Sequence, residues 1–82
     1  MDFSVLAYVD LETTGTRPGS DRITEVAIVR TEHGEVTERW SSLVDPGVPI
    51  PDPIQQLPGI TDGMVAGAPD IGQLLPDVMR LL

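Results

Sequence analysis

At 82 residues the chain is one small domain at most, of a size that buries only about 60% of the surface it exposes when unfolded. Hydrophobic residues at 40% and charged residues at 22% place it among globular rather than disordered sequences. With no cysteine and one histidine, disulfide frames, thiolate metal sites, cysteine nucleophiles and zinc clusters are excluded. Thirteen acids against five basic residues, all arginine, give a net charge of −8. That is the reverse of a protein gripping a nucleic-acid backbone by charge neutralisation, so contact with phosphate calls for divalent cations. No run reaches the roughly 18 to 20 apolar residues of a membrane span, and no basic stretch precedes an apolar one at the start. The expectation is a soluble, cytoplasmic chain with no membrane partner.

Residues 3 to 11, FSVLAYVDL, alternate with Phe3, Val5, Ala7, Val9 and Leu11 on one face and Leu6 and Tyr8 on the other. Apolar residues on both faces predict a central strand. A turn-rich stretch, TTGTRPGSD, with Gly15, Pro18 and Gly19, leads to a second strand over 23–31. His33 and Gly34 then form a hairpin turn. In the third strand, 36–44, Val36, Trp40 and Val44 share one face and Thr37, Arg39 and Ser41 the other. The pattern predicts a three-stranded antiparallel meander.

Between Asp45 and Pro58 five prolines fall in fourteen residues, which interrupts regular structure and marks a crossover over 45–58. One helical turn is expected over Ile54–Leu57, and Thr61 or Asp62 is placed to cap another through Val65. Asp70 then precedes Ile71, Leu74, Leu75, Val78, Met79, Leu81 and Leu82, an amphipathic spacing that predicts a helix over 70–82 with Asp70 as its N-cap. Pro76 lies inside it, removes one backbone donor, and is expected to kink it near its middle. No Gly or Asn closes this helix, an indication that the natural fold runs further.

Asp10 and Glu12 stand two positions apart at the end of the first strand, so their carboxylates project from one face about 6 to 7 Å apart. A bare D-x-E is a weak signal, because strand ends often carry solvated acids. On a strand otherwise apolar on both faces, the pair is costly without a cation or charge partner.

The surrounding residues add to this. VDLETTG at 9–15 resembles the first motif of the DEDDh family of 3′-to-5′ exonucleases, and the likeness continues through RITEVAIV at 22–29, LVDPGVPIPDPIQQLPGIT at 43–61 and MVAGAPD at 64–70. Within that family the pattern is most similar to the proofreading, epsilon-type exonuclease domains of bacterial replicative DNA polymerases. The resemblance implies an α/β, ribonuclease H-like fold, of which residues 1–82 form the N-terminal part. It also implies two Mg²⁺ or Mn²⁺ ions, with Asp10 and Glu12 as catalytic metal ligands. Thr13 and Thr14 would bind substrate at the 3′-terminal nucleotide. The implied partners are a single-stranded nucleic-acid 3′ end, DNA ahead of RNA, and other polymerase subunits. Two hard cations about 3.5 to 4 Å apart stabilise the attacking and leaving oxygens of a phosphodiester displacement, and carboxylates are the ligands they prefer.

The family's later Asp and its H-x-A-x-x-D motif have no counterpart in the 82 residues, and His33 begins HGEVTE, which reads as a turn. LPGIT puts Pro58 where the family more often has Thr or His. Glu25 either supports the metal pair or answers an arginine. Trp40 reads as core, and Arg17 and Arg22 flank the active-site turn. Asp45, Asp52, Asp62, Asp70 and Asp77 read as solvated acids in loops, at caps or on a helix face. The leading expectation is an exonuclease fragment, inactive by itself. The alternative is a non-catalytic module that binds a partner or self-associates through an uncovered apolar sheet face.

Overall fold

The computed structural model describes residues 4–17, 19–57 and 59–82. Strands β1 (Val5–Thr13), β2 (Ile23–Glu32) and β3 (Glu35–Leu43) form one antiparallel sheet in the order β1-β2-β3. Helices α1 (Asp52–Gln56), α2 (Asp62–Val65) and α3 (Ile71–Leu81) follow. The expected meander is therefore present. Phe3, Pro18 and Pro58 lie outside the described residues.

The turn between β2 and β3 shows how directly local chemistry sets the hairpin. Glu32 pairs with Glu35, leaving a two-residue loop in which His33 has φ 52° and Gly34 has φ 81°. Positive φ at both central residues is what a turn matching the right-handed strand twist requires. His33 is thus a turn residue, its N–H donating to the Ser4 carbonyl.

Two expectations are corrected. Among the described residues the first strand is an edge strand, paired only with β2, and β2 is the central one. Alternation reports which faces need cover, whereas position in the sheet depends on connectivity. Short links between successive strands place each beside its predecessor and leave β1 with one neighbour among the described residues. The cost shows as exposure: Val5, Tyr8, Val9 and Leu11 are all about half open to solvent. The second correction is Val36. A bulge between Arg30 and Thr31 pairs Val36 with Thr31 while Trp40 pairs with Ile28. One extra residue in β3 thus moves Val36 to the face opposite Trp40, where it is exposed.

One sheet face carries the main core. Val26 and Ile28 of β2 pack with Val44, Leu74 and Leu81, and Ile23, Trp40 and Val78 close around them; Trp40 is core, as expected. Helix α3 begins with a reciprocal cap: Asp70 Oδ1 accepts from the Gln73 N–H and the Asp70 N–H donates to Gln73 Oε1, both at 2.9 Å. Those two bonds satisfy donors that a helix start leaves orphaned. The helix continues through Pro76 to Leu81. Arg80 reaches Glu38 of β3 at 3.1 Å, while Ile71, Leu75, Met79 and Leu82 remain exposed.

The proline-rich crossover holds a second small core of Ile50, Ile60 and Val65, with Leu43 and Ile54 packed against it. Helix α1 starts two residues earlier than expected, because Pro53 fits the first turn, where a missing N–H costs nothing. It ends before Leu57, which is extended at φ −148° as a residue preceding proline prefers. Thr61 caps α2 through its hydroxyl. Asp62 is exposed, as expected, and also holds the segment together: it accepts from the Ile50 N–H at 2.8 Å and from Gln55 Nε2, while Gln55 Oε1 accepts from the Asp62 N–H. A chain segment too rich in proline to bond itself is pinned instead by one side-chain pair. Asp45 likewise holds the Gly47 N–H.

Candidate metal centre

Register decides which side chains share a face with the acidic pair. Asp10 stands opposite Ala27 and Glu12 opposite Glu25, so both lie on the face away from α3, since Val26 and Ile28 turn to the core. Leu6 and Tyr8 precede them on that face, as alternation expects. Asp10 is exposed and Glu12 half-buried.

The row through Glu12 continues across the sheet to Glu25 and Leu43. Leu43 packs against the second core, so the crossover stands beside the same end of the same face. Glu25 does not answer an arginine: among the described residues Asp10, Glu12 and Glu25 form no ion pair and no side-chain hydrogen bond. Like charges directly opposite across strands are unfavourable. Carboxylates without partners are the kind of oxygen donor a hard divalent cation takes, so the chemistry of the Asp10 and Glu12 pair fits such an ion. Among the described residues, however, no cluster of three metal-ligating side chains closes. The chain contributes a pair, with Glu25 beside it.

After Glu12 the ladder shifts by one residue, with Thr13 opposite Ile23, and the chain leaves the sheet in a loop. Bulges of this kind terminate pairing and re-aim side chains at strand ends. The displaced residue, Thr24, is fully buried with its hydroxyl unpaired. The loop is closed at its base by Thr14 and Arg22. The Thr14 N–H donates to the Arg22 carbonyl at 2.8 Å, and the Arg22 N–H donates to Thr14 Oγ1 at 3.0 Å.

Thr13 and Thr14 are placed differently. The Thr14 side chain is buried and its hydroxyl is spent inside the loop, donating to Asp21 Oδ1 at 2.9 Å while accepting from Arg22. Thr13, half-buried, has its hydroxyl turned to the backbone of Gly15. Arg17 is mostly exposed and Arg22 reaches only the Gly19 carbonyl, at 3.5 Å.

Asp21 is the residue that sequence reading passed over, taking it as one more polar letter in a turn. Its Oδ2 accepts from the Arg17 N–H at 2.6 Å, and its side chain is only 11% exposed. The Arg17 backbone N–H foremost, then the Thr14 hydroxyl and the Arg17 charge, hold its carboxyl below the ordinary carboxylate value, against the opposing effect of desolvation. An Asp two residues before the second strand, seven residues after Thr14, was the available signal.

Comparison with known proteins identifies the family. The RNase_T family model, described as Exonuclease, matches residues 8–82. The chain is 40% identical over 74 residues to the DNA polymerase III subunit epsilon of Aquifex aeolicus, covering 90% of this chain and 37% of that protein. It is 41% identical over 73 residues to the PolC-type DNA polymerase III of Clostridium perfringens, covering 89% of this chain and 5% of that one. Similarity to the 3′-5′ exonuclease DinG of Bacillus subtilis is 39% over 75 residues, 90% of this chain and 8% of the relative. The chain thus spans well under half the length of each of these relatives.

Proposed function

The chain belongs to the exonuclease family, and on that premise we propose that it supplies the first metal-binding half of a 3′-to-5′ exonuclease site acting on single-stranded nucleic-acid 3′ ends, DNA ahead of RNA. The observation that carries this reading is the unpaired carboxylate pair, Asp10 and Glu12, at the end of β1 inside the VDLETTG motif. Exonucleases of this kind generally use divalent metal ions; here the ions are Mg²⁺ or Mn²⁺, two in the complete site. When bound, such ions supply positive charge at the scissile phosphate and lower the pKa of an attacking water.

The chain's own residues contribute holding and orienting. Asp10 and Glu12 present oxygen ligands from one rigid strand. The register shift after Glu12 re-aims Thr13 at the end of β1, and the chain leaves the sheet beyond it, so that Thr13 and Thr14 border the 3′-terminal nucleotide. An ion of this kind takes about six oxygens, and the described residues offer two carboxylates with Glu25 alongside. The 82 residues alone therefore bind metal weakly and turn over no substrate, since a positioned general base, typically worth 10²- to 10⁴-fold, is also absent from them. Other subunits of a replicative polymerase are the expected partners.

Nucleotide release from a single-stranded 3′ end, assayed with and without Mg²⁺ on this chain and on a longer one carrying H-x-A-x-x-D, is the test. Activity confined to the longer chain and lost in Asp10→Ala supports the proposal. Metal binding untouched by both Asp10→Ala and Glu12→Ala overturns it.

A second reading rests on the open apolar surface. Val5, Val9 and Leu11 of β1, with Leu75 and Leu82 of α3, are exposed, and exposed apolar side chains of this kind are what a protein-interaction surface uses. In that reading the chain is an interaction module that self-associates or docks a partner protein.

A further inference from the structure

Within Thr13–Thr14–Gly15, Thr13 still pairs with Ile23 across the shifted ladder and the Thr14 N–H donates to the Arg22 carbonyl, but β1 ends at Thr13. Beyond that point a single carboxylate ties the loop together. Asp21 Oδ1 takes the Thr14 hydroxyl at 2.9 Å and Oδ2 takes the Arg17 N–H at 2.6 Å, so one side chain spans both limbs of the loop. The Thr14 hydroxyl, donating to Asp21, accepts at the same time from the Arg22 N–H, which ties the outgoing limb to the start of β2. Bonds to an ionised acceptor are shorter and roughly twice as strong as neutral ones.

Gly15 supplies an independent observation. Unlike Gly19, Gly34, Gly47, Gly59 and Gly67, it does not adopt a positive φ, so backbone conformation does not demand glycine there. A Cβ on Gly15 would instead stand 2.7 Å from Asp21 Oδ2 and 3.0 Å from its Cγ. Any side chain at Gly15 would displace the Asp21 carboxylate from its present seat. Arg17 adds little, its Nε being 3.7 Å away on a side chain that is 80% exposed, since exposed ion pairs are weak.

We propose that Asp21 is a positioning residue: bound to Thr14 and Arg17 and seated against Gly15, it fixes where the Thr13–Thr14–Gly15 segment stands relative to Asp10 and Glu12, and so where a terminal nucleotide is received. This rests on the exonuclease reading above. Asp21 touches neither metal nor nucleotide; it acts through Thr14 and the loop backbone. Near-attack geometry is steep in distance, a displacement of about 1 Å being able to cost on the order of a hundredfold in rate.

The test is NMR on the ¹⁵N-labelled chain, titrated with Mn²⁺ alone and then with thymidine 5′-monophosphate. In the wild type, Mn²⁺ broadens the resonances of Asp10 and Glu12 and, on a steep gradient, those of Thr13 to Gly15; the nucleotide then shifts Thr13 to Gly15. In Asp21→Ala the Mn²⁺ concentration needed at Asp10 and Glu12 stays the same, the gradient beyond Glu12 flattens, and nucleotide affinity falls on the order of tenfold or more. Thr14→Val, which removes the hydroxyl at near-constant volume, behaves alike and serves if Asp21→Ala does not fold. Asp21→Asn, retaining one oxygen, falls between. Wild-type gradient and nucleotide response in both Asp21→Ala and Thr14→Val overturn the proposal, as does loss of metal and nucleotide responses together in a folded Asp21→Ala. Absence of Mn²⁺ broadening at Asp10 and Glu12 in the wild type is a different result, which defeats the exonuclease reading itself.

Discussion

Glu12 on β1 and Glu25 on β2 are register partners, two carboxylates facing each other across the sheet with no cationic side chain joining either among the described residues. Cross-strand pairs are the unit of sheet stability, and like charges opposed in this way weaken it by about 0.2 to 1 kcal/mol. A divalent cation at Asp10 and Glu12 would relieve that repulsion.

Replacing Glu25 with Gln therefore stabilises the metal-free chain by up to about 1 kcal/mol while reducing the further gain on adding Mg²⁺. Thermal melts of wild type and Glu25→Gln, with and without Mg²⁺, check this. A metal-free Glu25→Gln less stable than wild type contradicts it.

Asp21 gives the chain an acid-sensitive loop. Its folded carboxyl is held below the ordinary value, so its contribution is fully present above the unfolded value of about 3.9 and is lost as pH falls through the lower folded value. Acid titration followed by circular dichroism will show wild type more stable than Asp21→Asn at neutral pH, the two converging at low pH. A stability difference that grows on acidification has the wrong sign.

The main core is small enough that one side chain decides folding. Leu81 is 1% exposed, within a cluster of five buried residues, and truncating such a leucine costs about 2 to 5 kcal/mol. Stabilities of whole domains are about 5 to 15 kcal/mol, and the face of this sheet away from α3 is covered only at its Leu43 end among the described residues. Leu81→Ala is expected to be largely unfolded in denaturant-free buffer at 37 °C, as measured by near-ultraviolet circular dichroism of Trp40. Cooperative melting close to wild type shows that α3 is not integral to the core.

The exposed apolar strip predicts association. Val9→Thr with Leu75→Gln keeps β propensity in the one and helix propensity in the other, and is expected to lower both hydrophobic-dye binding and sedimenting mass at micromolar concentration. A wild type that is monomeric and dye-silent ends the second functional reading.

What the amino-acid order determined by itself was everything that depends on near neighbours. The period-two runs located three strands, the His33–Gly34 step located the hairpin, Asp70 before the apolar run located the start of α3, and the D-x-E spacing put Asp10 and Glu12 on one face. Each rests on backbone geometry within a few residues. Tertiary structure alone decided what pairing decides: that β1 lies at an edge, that a bulge turns Val36 away from Trp40, that Glu25 faces Glu12, and that Asp62 and Gln55 pin the crossover. It also decided that Asp21 reaches back across seven residues to Thr14 and lies against Gly15. A strand's own sequence carries its alternation but not its neighbour, and a loop carboxylate carries its charge but not the donors that close on it when the chain folds.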